Sequence, residues 1–177
     1  MAEERLFEQI GSLDNFKKYV KLLLNQYQIV DGYWFAYVEK QYGLDTAVRM
    51  NEEIWSRIGT KTAKDIKSLF RLEGTGIDRV FNALRYLPWY TITDYHTQRK
   101  GEELRIDIPH CLPQEIRAKK KVGEYPCKEM HFRILDNFVR EIDESIQVSC
   151  EFAPPEPHPK DLWCRWIIKP RNMQAKE

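Results

Sequence analysis

Helical periodicity runs along the chain as far as Leu87, stops at Pro88, and gives way to alternation with a period of two. Few features limit a fold as strongly. Segments with a 3.6-residue repeat bury one stripe, and segments with a two-residue repeat bury one face. Helices written first and strands second lead to α+β, with an antiparallel sheet, because the strands lack the repeated crossover helices of a parallel one.

The helical half spans residues 12–87. Ser12 or Asp14 can cap a first helix over residues 12–30, where Leu13, Phe16, Val20, Leu23, Leu24 and Tyr27 recur at helical spacing. Asp31-Gly32 predicts a break, and a second segment reaches Tyr42 with Trp34, Phe35 and Val38 on one side. Gly43 reads as a stop and Asp45 as the cap of a third helix, with Val48, Trp55 and Ile58 facing inward and Ala63, Ile66, Leu69 and Phe70 continuing the face past Gly59. Glu73-Gly74-Thr75-Gly76 is a loop; Ile77-Asp78 follows, so the Gly-Lys-Ser/Thr ending of a phosphate-binding loop is missing. A short helix over residues 78–87 ends at Pro88.

The sheet half spans residues 89–169. Residues 89–97, from Trp89 to Thr97, are rich in strand formers, and Leu104, Ile106 and Ile108 alternate after a turn at Gly101, which predicts a hairpin. A short basic helix from Gln114 to Lys121 and a longer one opened by Cys127 follow. Residues 145–152 and 162–169 read as a second hairpin, joined across a proline-rich loop. The expectation is α+β: N-terminal helices packed on a four-stranded antiparallel sheet with an inserted helix. One domain of 177 residues would carry it, with a frayed tail at residues 170–177.

Charge excludes some functions. Lys and Arg number 28 and Asp and Glu 27, so no global field draws nucleic acid or an anionic membrane. Arg117, Lys119, Lys120 and Lys121 form the one basic run, at a helix end. No apolar run is long enough to span a bilayer, and the acidic start lacks a signal-peptide core, so a cytosolic protein is expected.

The cysteines supply the chemical signal. Cys111, Cys127, Cys150 and Cys164 all lie in the sheet half, and in a reducing compartment they are thiols or ligands rather than disulfides. Their spacing matches no zinc ribbon, yet thiolates that converge could hold zinc or iron. Small cysteines filling a core are the competing reading. Cys127 opens a helix, where the dipole favours thiolate, so it is the preferred nucleophile or ligand. His131 follows one turn on, on the same face.

Certain stretches carry a family resemblance: Asp31-Gly32-Tyr33-Trp34-Phe35-Ala36-Tyr37-Val38-Glu39, Asn51-Glu52-Glu53-Ile54-Trp55, His110-Cys111-Leu112-Pro113 with Arg117, Glu124-Tyr125-Pro126-Cys127-Lys128-Glu129, Cys150-Glu151-Phe152-Ala153-Pro154-Pro155 and Leu162-Trp163-Cys164-Arg165-Trp166. Over residues 15–168 the chain resembles an uncharacterised prokaryotic family of cytosolic proteins, which looks related to the L-2-aminothiazoline-4-carboxylic acid hydrolases. That resemblance implies opening of a small cyclic thiazoline or amidine by water. The cysteine pair on the last two strands is also similar to the 4-vinyl reductase domain, which implies a non-catalytic sensor-like module for a small ligand or a metal.

A hydrolase would use Cys127, bare or metal-bound, with Glu39 as general base and its carboxyl pKa raised by an apolar wall of Trp34 and Phe35. Arg117 would clamp a substrate carboxylate. Glu39 at a wet helix border and Arg117 as a surface charge are the alternatives. The expected partner is a small molecule, with a homodimer through Trp163 and Ile167 as a further option.

Overall fold

A computed structural model describes residue 5 and residues 8–171. Helix α1 runs from Leu13 to Tyr42, and the Ser12 side chain caps it by accepting a hydrogen bond from the Asn15 amide at 3.2 Å. The break expected at Asp31-Gly32 does not occur. A mid-helix glycine costs only about 1 kcal/mol, and Asp31 is engaged in packing, accepting a hydrogen bond from Trp55 Nε1 at 3.1 Å. Gly43 ends α1 and opens α2, Leu44–Leu69, its positive φ of 84° turning the chain sharply between the two.

Helix α3 is Gly76–Leu84 and α4 is Pro88–Ile92. The strand expected over residues 89–97 is therefore replaced by a short helix, with strand β1 confined to His96–Lys100. Pro88 favours this outcome because its fixed φ suits the first turn of a helix. Trp89 then packs against Tyr27 and Trp55, at 5.8 and 5.4 Å between ring centroids. Packing of this kind overrides β propensity, which is itself mainly a packing preference.

Strand β2 is Glu103–Ile108, α5 is Leu112–Lys120, α6 is Lys128–Ile142, β3 is Ile146–Phe152 and β4 is Cys164–Pro170. The four strands form an antiparallel sheet in the order β1-β2-β4-β3. The α+β expectation thus holds. Pro170 closes β4, so the expected tail starts later; residues 172–177 lie outside the described residues.

One sheet face is the floor of the core. Leu104, Ile106 and Ile108 stand opposite Ile168, Trp166 and Cys164, while Val148 and Cys150 on β3 stand opposite Ile168 and Trp166. Phe138, Leu135 and Val139 of α6 and Val80 and Leu84 of α3 join the same buried cluster. Helix α2 packs along α6 at Gly59, where an added Cβ would fall 2.6 Å from the Ile134 carbonyl oxygen. On the other sheet face Ile167 is buried, and Trp163 is half-buried with its ring 5.1 Å from His158. Ile167 thus lacks the exposure expected of it, and Trp163 has it only in part.

Among the described residues no helix is long and apolar enough to cross a membrane.

Candidate functional site

Four aromatic rings meet where the first turn of α6 lies over Trp166 of β4. His131, in the first turn of α6, stacks on Trp166 of β4 with centroids 4.8 Å apart and planes at 28°. Tyr95, just before β1, places its hydroxyl 3.0 Å from His131 Nε2. Tyr90 of α4 packs edge-on against Tyr95 at 5.5 Å. Trp166 Nε1 donates to Cys164 Sγ at 3.2 Å, two residues away on the same face of β4. The sheet's period-two alternation and the packing of α6 across it bring these side chains together from distant parts of the chain.

The rings are half-buried, with Trp166 fully buried beneath them. Burial holds the His131 pKa down to about 4, so the imidazole is neutral at ordinary pH. Burial also pushes the Tyr95 hydroxyl well above its usual value, with the thiols of Cys164, Cys111 and Cys127 acting in the same direction. A neutral imidazole beside a neutral phenol offers one donor and one acceptor in an apolar surrounding.

Cys164, Cys111 and Cys127 lie close enough to Tyr95 to act on its hydroxyl. Cys111 caps the N-terminus of α5, Cys127 that of α6, and Cys150 and Cys164 lie on β3 and β4. Cys150 stands directly opposite Trp166 rather than Cys164, so the two thiols are diagonal neighbours. The Cys164 thiol is pushed well up, first by burial and then by the charges that Cys127, Cys111 and Cys150 would carry. Burial likewise raises Cys111 to about 11, Cys127 to about 12 and Cys150 to about 11. At Cys127 desolvation outweighs the helix dipole, and Gln114 Nε2 donates to its sulfur at 3.4 Å. Burial thus opposes the thiolate expected at that helix start.

The expected set of metal ligands is not formed. Among the described residues, no group of three or more His, Cys, Asp or Glu side chains is placed to hold a metal ion. Two of the sulfurs already accept N–H donors, from Trp166 and Gln114.

Glu39 and Arg117 meet each other rather than a cavity. Arg117 Nη1 donates to Glu39 Oε2 at 2.6 Å and Nη2 to Oε1 at 3.0 Å. The same guanidinium donates to the carbonyls of Gly123, at 2.9 Å, and Val122, at 3.2 Å. The residues expected to serve as base and carboxylate clamp thus satisfy one another, tying α1 to the turn after α5. Phe35 packs on Tyr125 at 4.7 Å, and Tyr125 accepts from the buried Asn51 amide at 2.7 Å. Trp34 lies beside Phe35 and lines a shallow groove with Val38, Met50 and Ile54. Phe35, Glu39 and Arg117 join α1 to α5 and the turn after it, Trp34 faces α2, and Cys164 is the cysteine bonded into the His131 cluster, through Trp166.

Sequence reasoning passed over Tyr95 and Trp166 as site residues. One signal pointed to Trp166: it falls two residues after Cys164 on one strand face. Tyr95 gave no signal of its own, because a segment read as strand concealed the α4 turn that aims it.

A family model described as a family of unknown function (DUF6125) matches residues 12–169, and the chain belongs to that family. No curated protein matches the chain. Among solved structures, the phenol-responsive sensory domain of the transcription activator PoxR, crystallised with phenol, is similar in fold. Its TM-score is 0.54 at 11% identity, over 78% of this chain and 72% of that one.

Proposed function

We propose that this chain is a small-molecule-binding, sensor-like module whose ligand is a compact aromatic bearing a hydroxyl. The Tyr95–His131 pair carries the reading: a neutral imidazole, stacked on Trp166, already holds a phenol hydroxyl at 3.0 Å. A free phenol can take the place of the Tyr95 ring, its hydroxyl on His131 Nε2 and its face among aromatic and sulfur-bearing side chains. The fold likeness to a phenol-responsive sensory domain supports the same ligand class.

Displacing Tyr95 gives the ligand something to report. Tyr95 follows α4, whose Trp89 packs on Tyr27 of α1 and Trp55 of α2. A ligand that favours Tyr95 out over Tyr95 in would bias how α4 seats against those helices, by as much as its affinities for the two arrangements differ.

Turnover finds less support. Hydrolysis needs a base free to take a proton from water, or a thiolate. The Glu39 carboxylate is held by Arg117, and burial keeps the thiols protonated at neutral pH. Calorimetric titration with phenol, run beside an assay for ring opening of 2-aminothiazoline-4-carboxylic acid, separates the two readings. The binding module gives saturable heat with phenol and no product from the thiazoline.

A further inference from the structure

We propose that α1 is an interface helix, which pairs antiparallel with α1 of a second copy of this chain about a two-fold axis at Gln26. A helix of 30 residues in which none is buried is unusual for an amphipathic sequence. Its inner side meets α2 through Tyr27, Asp31 and Trp34, leaving a second apolar stripe that faces solvent. Along that stripe Leu22 is 52% exposed, Leu23 49%, Ile29 38%, Val30 62%, Tyr33 75% and Tyr37 65%.

The order of the stripe points to a second copy rather than to another partner. Measured from Gln26, Leu23 and Ile29 lie three residues away, Leu22 and Val30 four, and Tyr19 and Tyr33 seven. The pattern reads Tyr, Leu, Leu, Gln, Ile, Val, Tyr, so reversing the helix returns a similar surface. An isologous interface requires this self-complementarity. Antiparallel pairing sets the half-buried Tyr19 against Tyr33, Leu22 against Val30 and Leu23 against Ile29. It also sets Gln26 against its own copy, and a carboxamide, with both donor and acceptor, can bond to itself across an axis.

Charge and area agree. Lys17, Lys18 and Lys21 crowd the first half of α1; a parallel pair would align them with their copies, whereas an antiparallel pair separates them. Tyr33 and Tyr37, exposed by 75% and 65%, and four branched aliphatics exposed by roughly half present on the order of 600 Å² per chain. Two copies then bury on the order of 1,200 Å², the lower edge of stable protein interfaces.

Sedimentation of the full chain from micromolar to hundreds of micromolar concentration, with two variants, tests the proposal. Wild type should sediment as two chains, and Leu22→Glu/Val30→Glu as one chain with unchanged circular dichroism, since both positions are exposed. Gln26→Cys should yield a disulfide-linked dimer under copper-phenanthroline oxidation, whereas Leu22→Cys, which faces Val30 of the other copy, should not. A wild type that is one chain throughout, a dimer that survives the double substitution, or Leu22→Cys crosslinking as readily as Gln26→Cys each overturns the proposal.

Discussion

The hydroxyl of Tyr95 lies 3.0 Å from Nε2 of His131, joining the segment before β1 to the first turn of α6. Truncating Tyr95→Phe leaves the imidazole nitrogen without its partner in an enclosed place, which costs about 1–3 kcal/mol. Urea unfolding followed by circular dichroism should show that loss. Added phenol should restore part of it, because it returns a hydroxyl to the vacated position; a variant as stable as wild type would separate Tyr95 from the cluster.

Acid should weaken the fold through the same histidine. His131 has its pKa lowered to about 4 by burial, against 6.5 when unfolded, so the unfolded chain binds the extra proton more readily. The contribution is complete above pH 6.5, falls as the pH drops below that value, and levels off near pH 4. Its full size is at most about 3 kcal/mol, reduced by the screening that half-burial allows. In His131→Leu the slope of stability between those pH values should flatten, which urea midpoints measured across the range would reveal.

Glu39 and Arg117 predict a structural rather than a catalytic phenotype. Arg117→Met removes both bonds to Glu39 and those to the Gly123 and Val122 carbonyls. The cost should be about 2–4 kcal/mol, below that of a fully buried pair because Glu39 keeps some solvent contact. Phenol affinity should be unchanged after correction for the folded fraction. A selective loss of binding would instead return these residues to the site.

Gly59 should tolerate no side chain. A methyl there would gain up to about 1 kcal/mol of helix propensity. It would also press within 2.6 Å of the Ile134 carbonyl oxygen and force α2 off α6. Overpacking of that kind costs about 1–3 kcal/mol, so thermal unfolding of Gly59→Ala should shift downward. An upward shift would mean that the helices part without cost.

The thiols should be slow. With Cys111, Cys127 and Cys150 raised to about 11, 12 and 11, little thiolate is present at neutral pH. Ellman's reagent should label the native protein much more slowly than the urea-unfolded chain, which should titrate four thiols. A single fast native thiol lost in Cys127→Ser would favour nucleophilic chemistry.

These expectations show which layers of the molecule are written locally. The sheet was legible because Leu104, Ile106 and Ile108 alternate with polar residues, as Cys164 and Trp166 do around Arg165, and alternation needs no partner to be read. The α4 helix was not, since Trp89 and Tyr90 look like strand until Tyr27, Trp55 and Tyr95 are placed beside them. Gly32 misled because its helical cost is small beside the contacts of the residues around it. Crowding of the cysteines is plain in the sequence. It did not give the roles, since burial, which decides whether a thiol ionises, depends on neighbours far away in the chain. Glu39 and Arg117 are 78 residues apart, and no spacing rule pairs them.

The most direct measurement is calorimetric titration of phenol into wild type and His131→Leu, with Trp fluorescence recorded in parallel. Trp166 stacks on His131, so occupancy of the site should alter its emission. Wild type should bind one phenol per chain, and His131→Leu, folded by circular dichroism, should bind about tenfold more weakly, the worth of one hydrogen bond. Equal affinity in the two proteins, or a folded wild type that takes up no phenol at millimolar concentration, would contradict the assignment of this cluster as the ligand site.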